Sequence, residues 1–150
     1  MRMVIQRVQQ SSVTIDGNKY SEIGRGLLIL VGIESADTQE DIDWLCNKCS
    51  MMRIFEDEQG LMNKSVQDID GEIMIVSQFT LFASTKKGNR PSFIRAAKPD
   101  TAIPLYQSVC QTMSKLINKE VKTGVFGADM KINLTNDGPV TICIDSKNRE

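Results

Sequence analysis

The sequence predicts a single domain in which strands predominate and two helices pack on the sheet they form. Three observations carry that reading. The chain has 150 residues, a length that fits one domain and buries roughly 70% of its unfolded surface without staples. Apolar runs and alternations of strand length recur from Met3 to Ile144, bounded by Gly, Asp and Asn turns. Only two stretches, one after Asp37 and one after Asp100, repeat apolar residues at helical spacing.

Met3 to Val8 and Ser12 to Ile15 alternate as strands, and Asp16-Gly17-Asn18 is a hairpin-type turn into a strand from Lys19 to Glu22. Arg7 is the odd member of an apolar opening strand; it reads either as an edge-strand charge or as a buried anchor. Gly24-Arg25-Gly26 punctuates the chain before Leu27 to Ile33, a continuous apolar run of the kind found in a central strand. Asp37 is the predicted N-cap of the first helix, with Glu40 three residues on and Ile42, Leu45, Cys46, Cys49 and Met52 forming its apolar stripe. Arg53 to Glu56 and Leu61 to Lys64 are short strands about the turn Asp57-Glu58-Gln59-Gly60.

Ile73 to Phe82, within the stretch Glu72 to Ala83, is the predicted central strand around which the chain is organised. Its centre is polar. Ser77, Gln78 and Thr80 stand where a structural strand carries Val or Ile, and each costs free energy if buried without a partner. The segment therefore either joins a polar network or opens onto a pocket, and the pocket is the preferred reading because breaks in local pattern mark function. In a regular strand Gln78 and Thr80 share one face and Ser77 takes the other. A threonine hydroxyl is a weak nucleophile without an adjacent base, and the motif supplies none. Main-chain N–H groups from Gln78 to Thr80, acting as an oxyanion hole, suit Ser77-Gln78-Phe79-Thr80 better as the candidate catalytic segment, with Thr80 as nucleophile the lesser alternative.

Ser84 to Pro99 follows, with five basic residues in sixteen, no acidic one, and Gly88, Pro91 and Pro99 arguing for a loop. Its position after the polar strand predicts phosphate contacts from Lys86, Lys87, Arg90 and Arg95. Asp100 or Thr101 caps the second helix, with Pro104 in its first turn and a stripe of Ala102, Leu105, Tyr106, Val109, Met113, Leu116 and Ile117. Val121 to Phe126, Met130 to Leu134 and Val140 to Ile144 close the chain as strands before a polar tail.

Composition narrows the chemistry. Hydrophobic residues make up 41% and charged residues 25%, ordinary for a soluble globular protein. The longest apolar runs are too short to cross a bilayer, and the first residues carry no secretory signal, so a cytoplasmic protein without a membrane partner is expected. Cys46 and Cys49 form a Cys-x-x-Cys inside a helical pattern. Structural zinc takes about four ligands, the chain has no histidine, and reduced thiols acting as small hydrophobes are the expected state, with no metal and no cofactor. The absence of histidine also removes the usual general base near neutral pH. With a net charge of −1, any nucleic-acid contact has to rest on a local patch.

A second constellation, Asn136-Asp137-Gly138-Pro139-Val140-Thr141, lies between two closing strands and reads as a tight hairpin turn. A Gly-Pro bond adopts the cis form at only about 0.5–1 kcal/mol over trans, and the cis form turns the neighbouring carbonyls in a direction that would make a rigid main-chain probe.

Ser77-Gln78-Phe79-Thr80-Leu81 together with Asn136-x-Gly138-Pro139-Val140-Thr141 resembles the D-aminoacyl-tRNA deacylases. The likeness runs through nearly the whole chain, including Met1-Arg2-x-Val4-Ile5-Gln6-Arg7-Val8 and Lys87-Gly88-Asn89-Arg90-Pro91-Ser92-Phe93. It implies an α+β fold, a sheet-rich barrel-like body with two main helices packed outside, as one deacylase domain over residues 1–150, and a homodimer. It also implies hydrolysis of the ester that joins a D-amino acid to the 3′-terminal ribose of tRNA, and of mischarged glycyl-tRNA. In the family the Gly-Pro pair is cis and enters the partner subunit's site; it maps onto Gly138 and Pro139, and Arg7 matches the arginine that anchors it. A pocket lined by main-chain groups would exclude an L side chain sterically while accepting a D-residue or glycine, which is chiral proofreading in translation quality control. The ribose 2′-hydroxyl would assist the attacking water in place of histidine, leaving Thr80 a positioning role. Two other classes remain beside this one: an RNA-binding module that uses the basic loop without turnover, and a structural dimer with a polar core strand.

Overall fold

The opening alternation folds as one 14-residue strand, β1 (Arg2–Ile15), where two short strands were expected. The computed structural model describes residues 1–150. β2 (Asn18–Ile23) returns along the second half of β1, and β3 (Gly26–Gly32) runs antiparallel to the first half, from Arg2 opposite Gly32 to Val8 opposite Gly26. One edge of β1 is thus shared by two strands.

α1 (Gln39–Met51) begins one residue later than predicted, with Thr38 as its N-cap and Asp41 accepting the Thr38 N–H at 2.8 Å. Asp37 does not cap this helix. Its carboxylate accepts the Glu34 N–H at 2.8 Å and pairs with the Met1 ammonium. β4 (Phe55–Glu56) and β5 (Met62–Lys64) form a separate small hairpin. β6 (Glu72–Ser77) then lies parallel to β3, Gly26 opposite Glu72 through Val31 opposite Ser77.

The predicted long central strand ends at Ser77, and Phe79–Phe82 is a turn of 3-10 helix. α2 (Pro99–Ile117) starts earlier than expected: Lys98 is the N-cap and Pro99 opens the helix, where its missing N–H is harmless. Neither Asp100 nor Thr101 is the cap, and Pro104 falls inside the helix beyond the first turn. β7 (Lys122–Thr123) adds a short parallel edge to β6.

The chain closes with β8 (Met130–Asp145), 16 residues long and antiparallel to the free edge of β1 from Ile15 opposite Met130 to Arg2 opposite Asp145. The resulting sheet has the order β2-β1-β3-β6-β7, with β8 on the other side of β1. It curls into a barrel-like body, and α1 and α2 pack against one another over its outer face. This is the α+β architecture the resemblance implied.

Both faces of the central strands are buried, which is why β3 and β6 read as continuous apolar runs. Ile29 and Ile75 face the main core with Leu45, Cys46, Val109 and Met113 from the two helices. Leu28, Met74 and Val76 point the other way, into a smaller core with Val8, Val13 and Ile23 that Met130 and Ile132 of β8 help to cover. At about 1.5–3 kcal/mol for each large apolar side chain buried, these two layers fix the relative positions of β1, β3, β6 and β8. The four thiols are free, and the Cys-x-x-Cys pair lies wholly inside the main core.

Asn136 to Thr141 is not a hairpin turn. Gln6 lies opposite Thr141 and Val8 opposite Asn136, so β8 spends more residues than β1 on the same interval and bulges outward there. Gly138 and Pro139 form the exposed crest of this bulge, joined by a cis peptide bond.

Candidate active site

β3 and β6 run parallel, and ligands in such sheets bind beyond the carboxyl ends of the strands. A cavity of about 330 Å³ opens at that place. Val31 and Ile33 line it from β3 and the segment after it, Ser77 from the last position of β6, and Gln78 and Phe79 from the chain that follows. Ala102 closes it from α2, and Phe126 to Met130 form the far wall. Three of the four predicted catalytic residues therefore border one cavity, and Thr80 stands on the turn directly behind them.

The turn changes the expected side-chain arrangement. Because the strand stops at Ser77, Gln78 and Thr80 are no longer partners on a pleated face. Gln78 Nε2 donates to Thr80 Oγ1 across the start of the 3-10 turn. An amide N–H₂ group has no proton-accepting capacity, so this contact orients the hydroxyl without activating it. The Gln78 N–H is committed to the Val31 carbonyl at 2.7 Å. Of the three main-chain donors considered for an oxyanion hole, those of Phe79 and Thr80 are the ones left to serve.

Close packing holds the turn in place. A Cβ on Gly32 would lie 2.9 Å from Leu81 Cβ and 3.1 Å from the Gln78 carbonyl, so only glycine lets β3 approach the turn this closely. Arg2 reaches across from β1: its Nη1 donates to the Leu81 carbonyl at 3.0 Å and its Nε to Asp145 at 2.8 Å. The Arg2 and Arg95 guanidiniums also lie over the ring of Phe82, at 4.7 and 5.4 Å. Arg2 escaped the sequence reading. Its signal was the same as that of Arg7, a long cation in an otherwise apolar strand, on the opposite pleat.

Arg7 is buried on β1, which is an interior strand of the sheet, so the edge-strand reading is set aside. It shares the pleat of Met3 and Ile5 and points into the main-core side, where Nη1 donates to the Ile54 carbonyl at 2.6 Å. Nε donates to the Asp137 carbonyl at 2.9 Å and faces the Asp137 carboxylate at 3.4 Å. The structure thus joins Arg7 to the residue before Gly138. Gly138 itself has φ +125°, and a Cβ there would meet Arg7 Nη2 at 2.9 Å. The cavity beside Ser77 does not include Gly138 or Pro139 among its walls.

Lys86, Lys87 and Arg90 sit on an exposed loop pinched shut by paired main-chain bonds between Ser84 and Ser92, at 2.8 and 2.9 Å. Arg95 stands apart from them: it pairs with Glu34 at 3.3 Å and covers Phe82. None of the four cysteines lines the cavity. Burial pushes the Cys46 thiol up to about 12 and Cys110 up to about 11, so neither offers a thiolate at neutral pH. Tyr106, its hydroxyl also shifted upward by burial, donates to the Ile75 carbonyl at 2.7 Å and ties α2 to β6 beneath the cavity.

The sequence model of the D-Tyr-tRNA(Tyr) deacylase family matches residues 4–145. The chain is 65% identical to the D-aminoacyl-tRNA deacylase of Flavobacterium johnsoniae and 62% identical to that of Bacteroides thetaiotaomicron, each over 150 residues and the whole of both chains. Its structure is similar to a solved c-Myc DNA Unwinding Element Binding Protein, with a TM-score of 0.92 and 42% identity over 97% of this chain and 98% of that one. A probable eukaryotic D-amino acid tRNA deacylase superposes with a TM-score of 0.83 at 19% identity, over 95% of this chain and 97% of the other, a likeness of fold.

Proposed function

The chain belongs to the D-Tyr-tRNA(Tyr) deacylase family, and from that premise we propose that it clears D-aminoacyl-tRNA, and mischarged glycyl-tRNA, by hydrolysing the ester at a main-chain-lined site beyond the carboxyl ends of β3 and β6. The observation that carries the proposal is the cavity bordered by Ser77, Gln78 and Phe79 at the carboxyl ends of two parallel strands. The ester carbonyl enters there and its oxygen, as charge develops, accepts from the Phe79 and Thr80 N–H groups. Removing one donor from such a hole slows a reaction by roughly 10²–10³. Thr80, its hydroxyl held by Gln78, positions this segment. Water is the nucleophile, and the ribose 2′-hydroxyl beside the ester takes the role that histidine plays elsewhere.

Chirality is read by exclusion. The active form is a homodimer in which the exposed Gly138–Pro139 bulge of one subunit enters the cavity of its partner, anchored from within by Arg7 through Asp137. Main-chain carbonyls on that crest leave room for hydrogen or a D side chain on one side of the α-carbon and none for an L side chain on the other. Lys86, Lys87 and Arg90 contact phosphates of the acceptor end, Arg95 braces the turn through Phe82, and the reaction takes place in the cytoplasm. No helix is long and apolar enough to cross a membrane.

Deacylation of D-tyrosyl-tRNA followed across protein concentrations that span the dimer equilibrium, with sedimentation run in parallel, tests the shared site. Specific activity should fall as the dimer dissociates. A monomer with full specific activity would contradict the cross-subunit arrangement while leaving the hydrolysis itself in place.

A further inference from the structure

We propose that Phe79, Phe93 and Ile94 form a stacking platform for the unpaired nucleotides at the 3′ end of the RNA, placed between the cavity and the cationic loop. The inference rests on the tRNA substrate proposed above and extends it to the nucleotides before the terminal one. Large apolar side chains are seldom left in water together without a partner, yet in the single subunit Phe79 is 55%, Phe93 36% and Ile94 93% exposed. The two rings meet edge to face, with centroids 5.2 Å apart and planes at 78°. In that arrangement the ring presenting its edge does not have its own faces covered by the other ring, and a face is the surface a nucleobase needs.

Position gives the patch its occupant. Phe79 is both a wall of the 330 Å³ cavity and half of the aromatic pair. Phe93 follows directly on Ser92, whose bonds to Ser84 close the neck of the loop that carries Lys86, Lys87 and Arg90. A strand of RNA with its last residue at the cavity would therefore cross the rings before its phosphates reach the loop. Stacking on aromatic side chains beside cations that track the backbone is the general device for single-stranded nucleic acid, and it tolerates any base. That suits an enzyme acting on many tRNAs. Glu34 is paired with Arg95, and Asp129 on the cavity wall is paired with Lys131, so neither carboxylate stands alone against the approach.

Binding of uncharged, fluorescently labelled RNA hairpins tests the platform without requiring turnover. One hairpin carries a four-nucleotide single-stranded 3′ tail and the other is blunt. For the parent protein the tail should tighten binding by about tenfold, in line with one stacked base. For Phe93→Ala that gain should shrink to less than about threefold, and Phe93→Trp should restore it. Ile94→Ala, at a fully exposed position, serves as a second variant with a smaller loss. A tail advantage of equal size in the parent and in both alanine variants would overturn the platform. So would a Phe93→Ala protein that sediments as a monomer where the parent is a dimer, since the rings would then be an interface between subunits. If D-tyrosyl-tRNA is hydrolysed but the tail gain is absent, the platform alone fails; if the tail gain is present but no ester is cleaved, the deacylase reading fails instead.

Discussion

Arg7 and Asp137 are joined twice, by a bond from Nε to the Asp137 carbonyl at 2.9 Å and by a charge contact to its carboxylate at 3.4 Å. These residues come from β1 and from the bulge of β8. One buried guanidinium therefore sets the main chain immediately before Gly138, and its third contact, to the Ile54 carbonyl at 2.6 Å, ties that setting to the main core.

Removing the guanidinium leaves two carbonyls without a donor and a carboxylate without its partner. Charged hydrogen bonds are worth about 1.5–3 kcal/mol each, so Arg7→Ala should lose about 3 kcal/mol of stability in urea denaturation. Arg7→Lys keeps the charge but lacks the planar fork, and should fall between the two. An Arg7→Ala protein as stable as the parent would show that the bulge is held by something else.

Gly32 tests the link between packing and site. The methyl of Gly32→Ala would press on Leu81 and the Gln78 carbonyl, and overpacking of this kind costs about 1–3 kcal/mol. The turn has to move to relieve it, so deacylation should fall by at least tenfold even where the protein remains folded. A folded variant with unchanged turnover would detach the turn from the chemistry.

The hydroxyl of Thr80 contacts an amide donor and no base. Thr80→Ala should accordingly keep deacylation within about tenfold of the parent, since a lost positioning bond is worth about 1 kcal/mol. Loss of all activity in Thr80→Ala, with recovery in Thr80→Ser, would make the hydroxyl the nucleophile after all.

Acid sensitivity has a local source at the start of α1. Burial raises the pKa of Asp41, but bonds from Lys147, Ser146 and the Thr38 N–H outweigh it and hold the carboxyl well below the ordinary carboxylate range. A folded-state pKa lower than the unfolded one gives stability that is present above about pH 3.9 and is lost as the pH falls toward the folded value. Asp41→Asn should cost about 1.5–3 kcal/mol at pH 7 and flatten the fall in stability as the pH drops below about 4. Equal slopes in the two proteins would assign the acid sensitivity elsewhere.

What could be read from the sequence depended on how local the signal was. The apolar runs of β3 and β6 and the stripes of both helices were legible because burial imposes a period on adjacent residues. Phe79 to Phe82 reads as strand but folds as a 3-10 turn, because Phe, Thr and Leu suit either state. What bends the chain there lies in Gly32 and Arg2, which contact the turn only after folding. The same limit explains Asn136 to Thr141: Asn-Asp-Gly-Pro has turn chemistry, but pairing with β1 on both sides turns it into a bulge. Pattern alone puts Asp37 at the helix N-cap, whereas the amino group of Met1 claims it in space. The segment from Ser77 to Phe79, which borders the cavity, stands out in the sequence for the opposite reason. Polar residues in an apolar run are a local anomaly, and that anomaly fell at the cavity.

Single-turnover hydrolysis of D-tyrosyl-, glycyl- and L-tyrosyl-tRNA, measured side by side, tests most directly whether a main-chain-lined cavity reads chirality by exclusion. The expected order is rapid loss of the D-tyrosyl ester, loss of the glycyl ester at a comparable rate, and an L-tyrosyl ester no less stable in the presence of the protein than in buffer. Equal hydrolysis of the two tyrosyl esters would contradict exclusion at the α-carbon, and no hydrolysis of any of the three would contradict the assignment of the cavity as the deacylation site.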